Sequence, residues 1–138
     1  MVTDLPVPAD ADVREAAILI VEDDPGAVEA FEYMLTAEGY RVRVAVDAPS
    51  ALAEVERAAP AAVLLDLHLP ITDGLELLRR LRATARHAHL PIAVVTGDYF
   101  LEERVARELE RLGTRIFFKP LWEEDLMGIV RGLLTGAS

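Results

Sequence analysis

The sequence predicts an α/β domain of the doubly wound type, a parallel sheet covered by helices on both faces. Two observations carry this. Short apolar runs recur about every 25 residues, at Ile18 to Val21, Val42 to Val46, Val63 to Leu65, Ile92 to Val95 and Ile116 to Phe118. The segments between them have helical spacing, and regular strand-helix alternation builds parallel sheets through crossover connections. The third run is the most telling: Val63-Leu64-Leu65-Asp66-Leu67-His68-Leu69-Pro70 is a run buried on both faces that delivers one carboxylate and then breaks at proline.

Each helix can be placed from its own signals. The first starts at Asp24-Pro25, a capping residue followed by proline at the first helical position, and stops at Gly39, with Val28, Phe31 and Leu35 on one stripe. The second runs from about Ser50 to Ala58 with Leu52 and Val55 inward and Pro60 closing it. The third opens at Asp73-Gly74, buries Leu75, Leu78 and Leu81, and turns Arg79, Arg80 and Arg82 outward near its carboxyl end, where positive charge suits the helix dipole. The fourth, about Leu101 to Leu112, buries Leu101, Val105, Leu109 and Leu112 and ends at Gly113 in a left-handed cap. The fifth, about Trp122 to Leu134, turns Leu126, Ile129, Val130 and Leu133 inward.

Length and composition bound the function. A chain of 138 residues, 52% of them hydrophobic, is one domain's worth with a real core. Residues 1–15 carry prolines, alanines and acids without an apolar core and read as a flexible tail; 16–138 read as the domain. The net charge of −10 argues against direct nucleic-acid binding, and no run approaches the length of a membrane span. The absence of cysteine excludes disulfides and thiol catalysis and suits a cytoplasmic protein. The chain ends four residues after Leu134, so no effector domain is expected to follow.

Chemistry-bearing residues fall at the carboxyl ends of the predicted strands: Glu22 and Asp23 after the first, Asp66 after the third, Thr96 after the fourth and Lys119 after the fifth. In a doubly wound sheet these ends converge on one cleft. Singly, each has a plainer reading: Asp66 and Asp24 as caps or turn formers, Thr96 as a strand residue, Lys119-Pro120 as a loop. Together they describe a site. Adjacent carboxylates repel, and a hard divalent cation such as Mg²⁺ relieves them through oxygen ligands. Lys119 supplies a fixed positive charge and Thr96 a hydroxyl donor. Metal, ammonium and hydroxyl suit a transferring phosphoryl group, with Asp66 as the nucleophile that forms an acyl phosphate.

The motifs Ile-Leu-Ile-Val-Glu-Asp-Asp-Pro, Leu-Leu-Asp-Leu-His-Leu-Pro with Asp73-Gly74, Val-Val-Thr-Gly-Asp and Phe-Phe-Lys-Pro resemble those of the receiver domains of two-component response regulators, over nearly the whole chain from about Ala17 to Leu134. The resemblance implies a five-stranded sheet of order 2-1-3-4-5. It implies Asp66 as phosphoacceptor, Asp23 and Asp66 as direct Mg²⁺ ligands with the His68 backbone carbonyl, and Glu22 as an outer ligand through water. Thr96 would bond the phosphoryl oxygen and Lys119 would bridge to it. The implied partners are a histidine kinase or histidine phosphotransfer protein and, through the fourth helix, fifth strand and fifth helix, a downstream protein target or a second copy. Such a domain signals rather than turning over a substrate, assisting its own phosphorylation and dephosphorylation.

One departure stands out. Receivers usually switch through an aromatic residue three positions before the lysine, and here that position is Ile116. Phe117 faces the opposite way by strand alternation, so Tyr99, in the loop after Thr96, is the nearest polar aromatic available to move instead, its plainer reading being a surface loop tyrosine. Ile116 therefore leaves open an alternative, a receiver-shaped interaction module whose switch is independent of phosphate. A metal-dependent phosphohydrolase is disfavoured, because the acid-base carboxylate expected two residues after the nucleophile is replaced by His68. The imidazoles of His68, His87 and His89 are expected to be solvated.

Overall fold

The computed structural model describes residues 17–136; the expected amino-terminal tail, 1–15, lies outside them. Its elements are β1 (Ile18–Val21), α1 (Pro25–Ala37), β2 (Val42–Ala45), α2 (Ala48–Arg57), β3 (Ala62–Leu65), α3 (Gly74–Ala83), a 3₁₀ turn (Ala85–His87), β4 (Ile92–Thr96), α4 (Glu103–Arg111), β5 (Arg115–Phe118) and α5 (Glu123–Thr135). The strands form one parallel sheet of order β2-β1-β3-β4-β5, the architecture expected.

Strand alternation divides the core in two. Leu19, Val21, Val63 and Leu65 face α2, α3 and α4, while Ile18, Ile20, Leu64 and Val95 face α1 and α5. Register then sets the site: Val21 lies opposite both Ala45 and Leu65, and Thr96 opposite Phe118. The carboxyl ends of β1 and β3 are therefore flush, and those of β4 and β5 are flush beside them.

The capping signals act as read. Asp24 accepts a hydrogen bond from the Ala27 amide at 2.9 Å with Pro25 behind it, and Gly39 and Gly113 take φ of 92° and 81° after α1 and α4. The second helix starts earlier than expected, because Asp47 and Ser50 form a reciprocal capping box around Pro49. The fourth is shorter, yet Leu101 and Leu112 beyond its ends still pack on the core.

Two expectations about the third helix and the residues after it fail. Arg82 does not point outward. Its Nε donates to the Leu112 carbonyl at 2.7 Å and its Nη1 to those of His87 and Leu90 at 3.0 and 2.8 Å. Chain segments leaving α3 and α4 bring three carbonyls together, that of His87 also accepting from the Leu90 amide at 3.2 Å, and one guanidinium donates to all three. The His87 imidazole is not solvated either; it is buried with Nε2 3.0 Å from a Glu56 carboxylate oxygen. Arg79 does face solvent, where it grips Glu108 of α4 through two nitrogens at 2.6 and 2.8 Å.

Gly74 holds the start of α3 against the end of β3. Its amide donates to the Leu67 carbonyl at 2.8 Å, and a Cβ there would lie 2.4 Å from the Asp66 carbonyl oxygen and 2.8 Å from the Leu67 Cα. Replacing glycine usually gains about 0.4–1 kcal/mol by restricting the unfolded chain. Overpacking against backbone costs about 1–3 kcal/mol, so the clash wins. Gly74→Ala should lower the midpoint of urea unfolding, and an unchanged or raised midpoint would show that the loop yields.

Candidate functional site

Hydrogen bonds extend past the formal strand ends and position each group. The amide of Asp66 donates to the Val21 carbonyl at 3.0 Å, that of Glu22 to Ala45 at 3.0 Å, and that of Lys119 to Thr96 at 2.9 Å. All the predicted strand-end residues consequently meet at the carboxyl edge. Carboxylate oxygens of Glu22, Asp23 and Asp66 lie within 4.8 Å of one another, with Glu22 and Asp66 buried and Asp23 exposed. Asp24 is occupied as the cap of α1, as its plainer reading held, and its amide donates to Glu22 Oε2 at 3.1 Å.

One cation faces this cluster. Lys119 Nζ donates to Glu22 Oε1 and lies 3.8 Å from Asp66 Oδ2. Negative charge is in surplus, and the consequence falls on Asp66. Burial, reinforced by the Glu22 charge and opposed by Lys119, pushes its carboxyl up to about 6. Three oxygen donors, one of them open to solvent and one of them the Asp66 carboxyl that resists ionising, form a set suited to a hard divalent cation.

The remaining residues line the approach. Thr96 is fully buried, and its Oγ1 accepts a hydrogen bond from the Asp98 amide at 3.1 Å. His68 donates its amide weakly to Asp66 Oδ1, at 3.4 Å, and its mostly exposed imidazole Nε2 lies 3.3 Å from Asp98 Oδ2. Asp98 went unremarked as a site residue in the sequence, although its place two residues after Thr96, in a Thr-Gly-Asp turn, is the signal that could have found it.

Ile116 is half-buried and packs with the α2–α4 side of the core, whereas Phe117 packs on the α1–α5 side, so the alternation holds. Tyr99 reaches across to the edge strand. Its hydroxyl donates to the Lys119 carbonyl, and its ring stacks on Phe118 with centroids 5.7 Å apart and planes at 21°. Phe118, which like Phe117 does not replace the switch aromatic by strand alternation, is the exposed end residue of the edge strand, and no periodicity marks it as the partner of Tyr99.

Comparison with known proteins decides the family. Residues 18–131 match the model of the response regulator receiver domain. The chain belongs to this family. It is 39% identical over 117 residues to the response regulator MprA of Mycobacterium leprae, covering 85% of this chain and 50% of that protein. It is 35% identical over 118 residues to the response regulator PleD of Caulobacter vibrioides, covering 86% of this chain and 26% of the relative. The chain thus spans about half or less of the length of these relatives. Among solved structures, the receiver domain of NtrX from Brucella abortus aligns with a TM-score of 0.76 at 30% identity, covering 86% of this chain and 98% of that one. A CheY-like receiver domain protein from Methanospirillum hungatei aligns with a TM-score of 0.79 at 27% identity, over 88% and 94% of the two chains. Membership makes this a signalling domain of the kind that two-component phosphorelays use. Among the described residues, no helix is long and apolar enough to cross a membrane.

The raised Asp66 carboxyl links site and stability. Its folded value of about 6 exceeds the ordinary 3.8, so between those values the native state binds more protons than the unfolded chain, and stability falls as pH rises through that window. Asp66→Asn abolishes the penalty. In metal-free buffer the variant should exceed the parent by about 1–3 kcal/mol at pH 7, with the gap closing near pH 4, as read from urea unfolding at each pH. A gap independent of pH would contradict this.

Proposed function

We propose that this domain, 16–138, accepts a phosphoryl group on Asp66 from a histidine kinase or histidine phosphotransfer protein and changes its output surface in response. The observation that supports it best is the clustering of Glu22, Asp23 and Asp66, with the Lys119 ammonium against Glu22 and Asp66 and the buried Thr96 at the end of the neighbouring strand. An Asp66 carboxylate oxygen attacks the phosphorus of the donor phosphohistidine; the P–N bond breaks, its electrons leave with the imidazole, which takes up a proton, and an acyl phosphate remains. Mg²⁺, held by Asp23, Asp66 and the His68 carbonyl with Glu22 acting through water, would neutralise charge on the phosphoryl oxygens. Lys119 exchanges part of its pairing with Glu22 for the phosphoryl group, and Thr96 turns its hydroxyl to a phosphoryl oxygen.

Tyr99 is the reporter in this reading. The phosphoryl group adds about one to two negative charges to the cleft, drawing Lys119 and Thr96, and Tyr99 is tied to both: to Lys119 by its hydroxyl and to Thr96 by the short loop between them. Ile116, lacking a ring or hydroxyl, serves as packing. The output face is α4, β5 and α5, meeting a downstream protein or a second copy, and not nucleic acid or a membrane; the setting is the cytoplasm. The alternative of a phosphate-independent switch keeps only Ile116 in its favour, since Tyr99 supplies an aromatic contact to β5.

Incubation with acetyl phosphate and Mg²⁺ should add one phosphoryl mass, lost in Asp66→Asn and on chelation; no uptake by the parent would overturn the assignment. The single tryptophan, Trp122, lies three residues after Lys119 and is exposed, so its emission should shift on phosphorylation. Tyr99→Phe should keep phosphoryl uptake while diminishing that shift. A full shift in the variant would remove Tyr99 from the switch.

A further inference from the structure

The amino-terminal edge of the sheet, opposite the carboxylate cluster, holds an open cleft of about 310 Å³ between α5 and the starts of β4 and β5. Ile92, Ala93 and Phe117 provide its apolar surface. Arg82 and Arg115 give it charge. Arg82 spends Nε and Nη1 on three carbonyls, leaving Nη2 3.9 Å from where a Cβ on Gly113 would sit, and both residues line the cleft. Arg115 lies over the Phe117 ring at 5.3 Å. Among the described residues neither arginine has a carboxylate ion-pair partner, although acidic residues outnumber basic ones by 24 to 14 in the chain.

The complement to this surface is a short apolar segment flanked by carboxylates, and the chain carries one: Asp4-Leu5-Pro6-Val7-Pro8-Ala9-Asp10. Proline fixes φ, so a segment that carries two prolines has less entropy to lose on docking. It is also tethered nearby. Ile18 pairs with Ala62 and Val63 with Ile92, placing the start of β4 two strands, about 10 Å, from the start of β1. The connecting residues 11–17 span up to about 23 Å when extended. A short tether raises the local concentration to the millimolar range.

We propose that this cleft is the docking groove for the chain's own amino-terminal segment, with Leu5 and Val7 on the apolar surface and the carboxylates of Asp4 and Asp10 toward Arg115 and Arg82. The inference is independent of the phosphoacceptor reading. Because the chain has no cysteine, Thr3→Cys accepts a single nitroxide label on the full-length protein. Amide signals of Ala93, Phe117, Gly128 and Gly132 should lose intensity, equally at all protein concentrations. Leu5→Asp combined with Val7→Asp should restore those intensities, and Arg115→Glu should restore them in part, with the remaining amide spectrum unchanged. Three results would overturn the proposal: broadening spread evenly along the whole edge including Val42 and Ala62, broadening transferred to unlabelled copies in a mixed sample, which would make a second copy the occupant, or broadening that survives the double aspartate variant.

Discussion

Three carboxylates against one ammonium is the constraint on which the site's construction depends. Left to themselves, Glu22, Asp23 and Asp66 would separate or take up a proton, and the rise of Asp66 to about 6 is the trace of that tension. The sheet prevents separation. Strand registers fix the backbone of each acid, and the apolar runs behind them keep the strand ends from moving apart. Stability given by the core is thus partly offset at this edge, and the tension there suits the oxygen donors to a hard divalent cation.

Most of the architecture was legible because it is written in periodicity and punctuation. Apolar runs marked all five strands, and Asp24-Pro25, Gly39, Asp73 and Gly113 marked helix ends, since capping is a local matter between residues a few positions apart. The converging site residues were legible for a related reason: in a parallel sheet all carboxyl ends share one edge, so position in sequence translates directly into position in space. What escaped was set by tertiary contact. Arg82 reads as the outward arginine of an amphipathic helix, and only the meeting of three carbonyls from other segments turns it inward. Asp47 went unread as a cap because Ala48 and Pro49 carry no helical stripe of their own. His87 was expected to be solvated like the other imidazoles, and Glu56, 31 positions away, takes it into a buried contact that local sequence does not signal.

The two ends of the sheet differ in character. At the carboxyl edge, anionic side chains outnumber cations, with Glu22 and Asp66 buried and Asp23 exposed; at the amino-terminal edge, arginines border an apolar cleft. The link between Tyr99 and Phe118 lies on the exposed edge strand, where fewer packing contacts resist motion than in β1 or β3. Arg79 and Glu108 bridge α3 to α4 across solvent, so movement of α4 would have to carry or release that pair.

Gly74 has a consequence for how sequences of this kind can drift. The atom its missing side chain would strike is the carbonyl oxygen of Asp66 itself. A substitution there cannot be absorbed as a loss of stability alone, to be repaired by some distant gain in packing; relieving the clash displaces the residue that carries the carboxylate. Mutational tolerance at a position outside the charged cluster is therefore governed by the geometry of that cluster, and compensating changes must arise within the turn from Asp66 to Gly74.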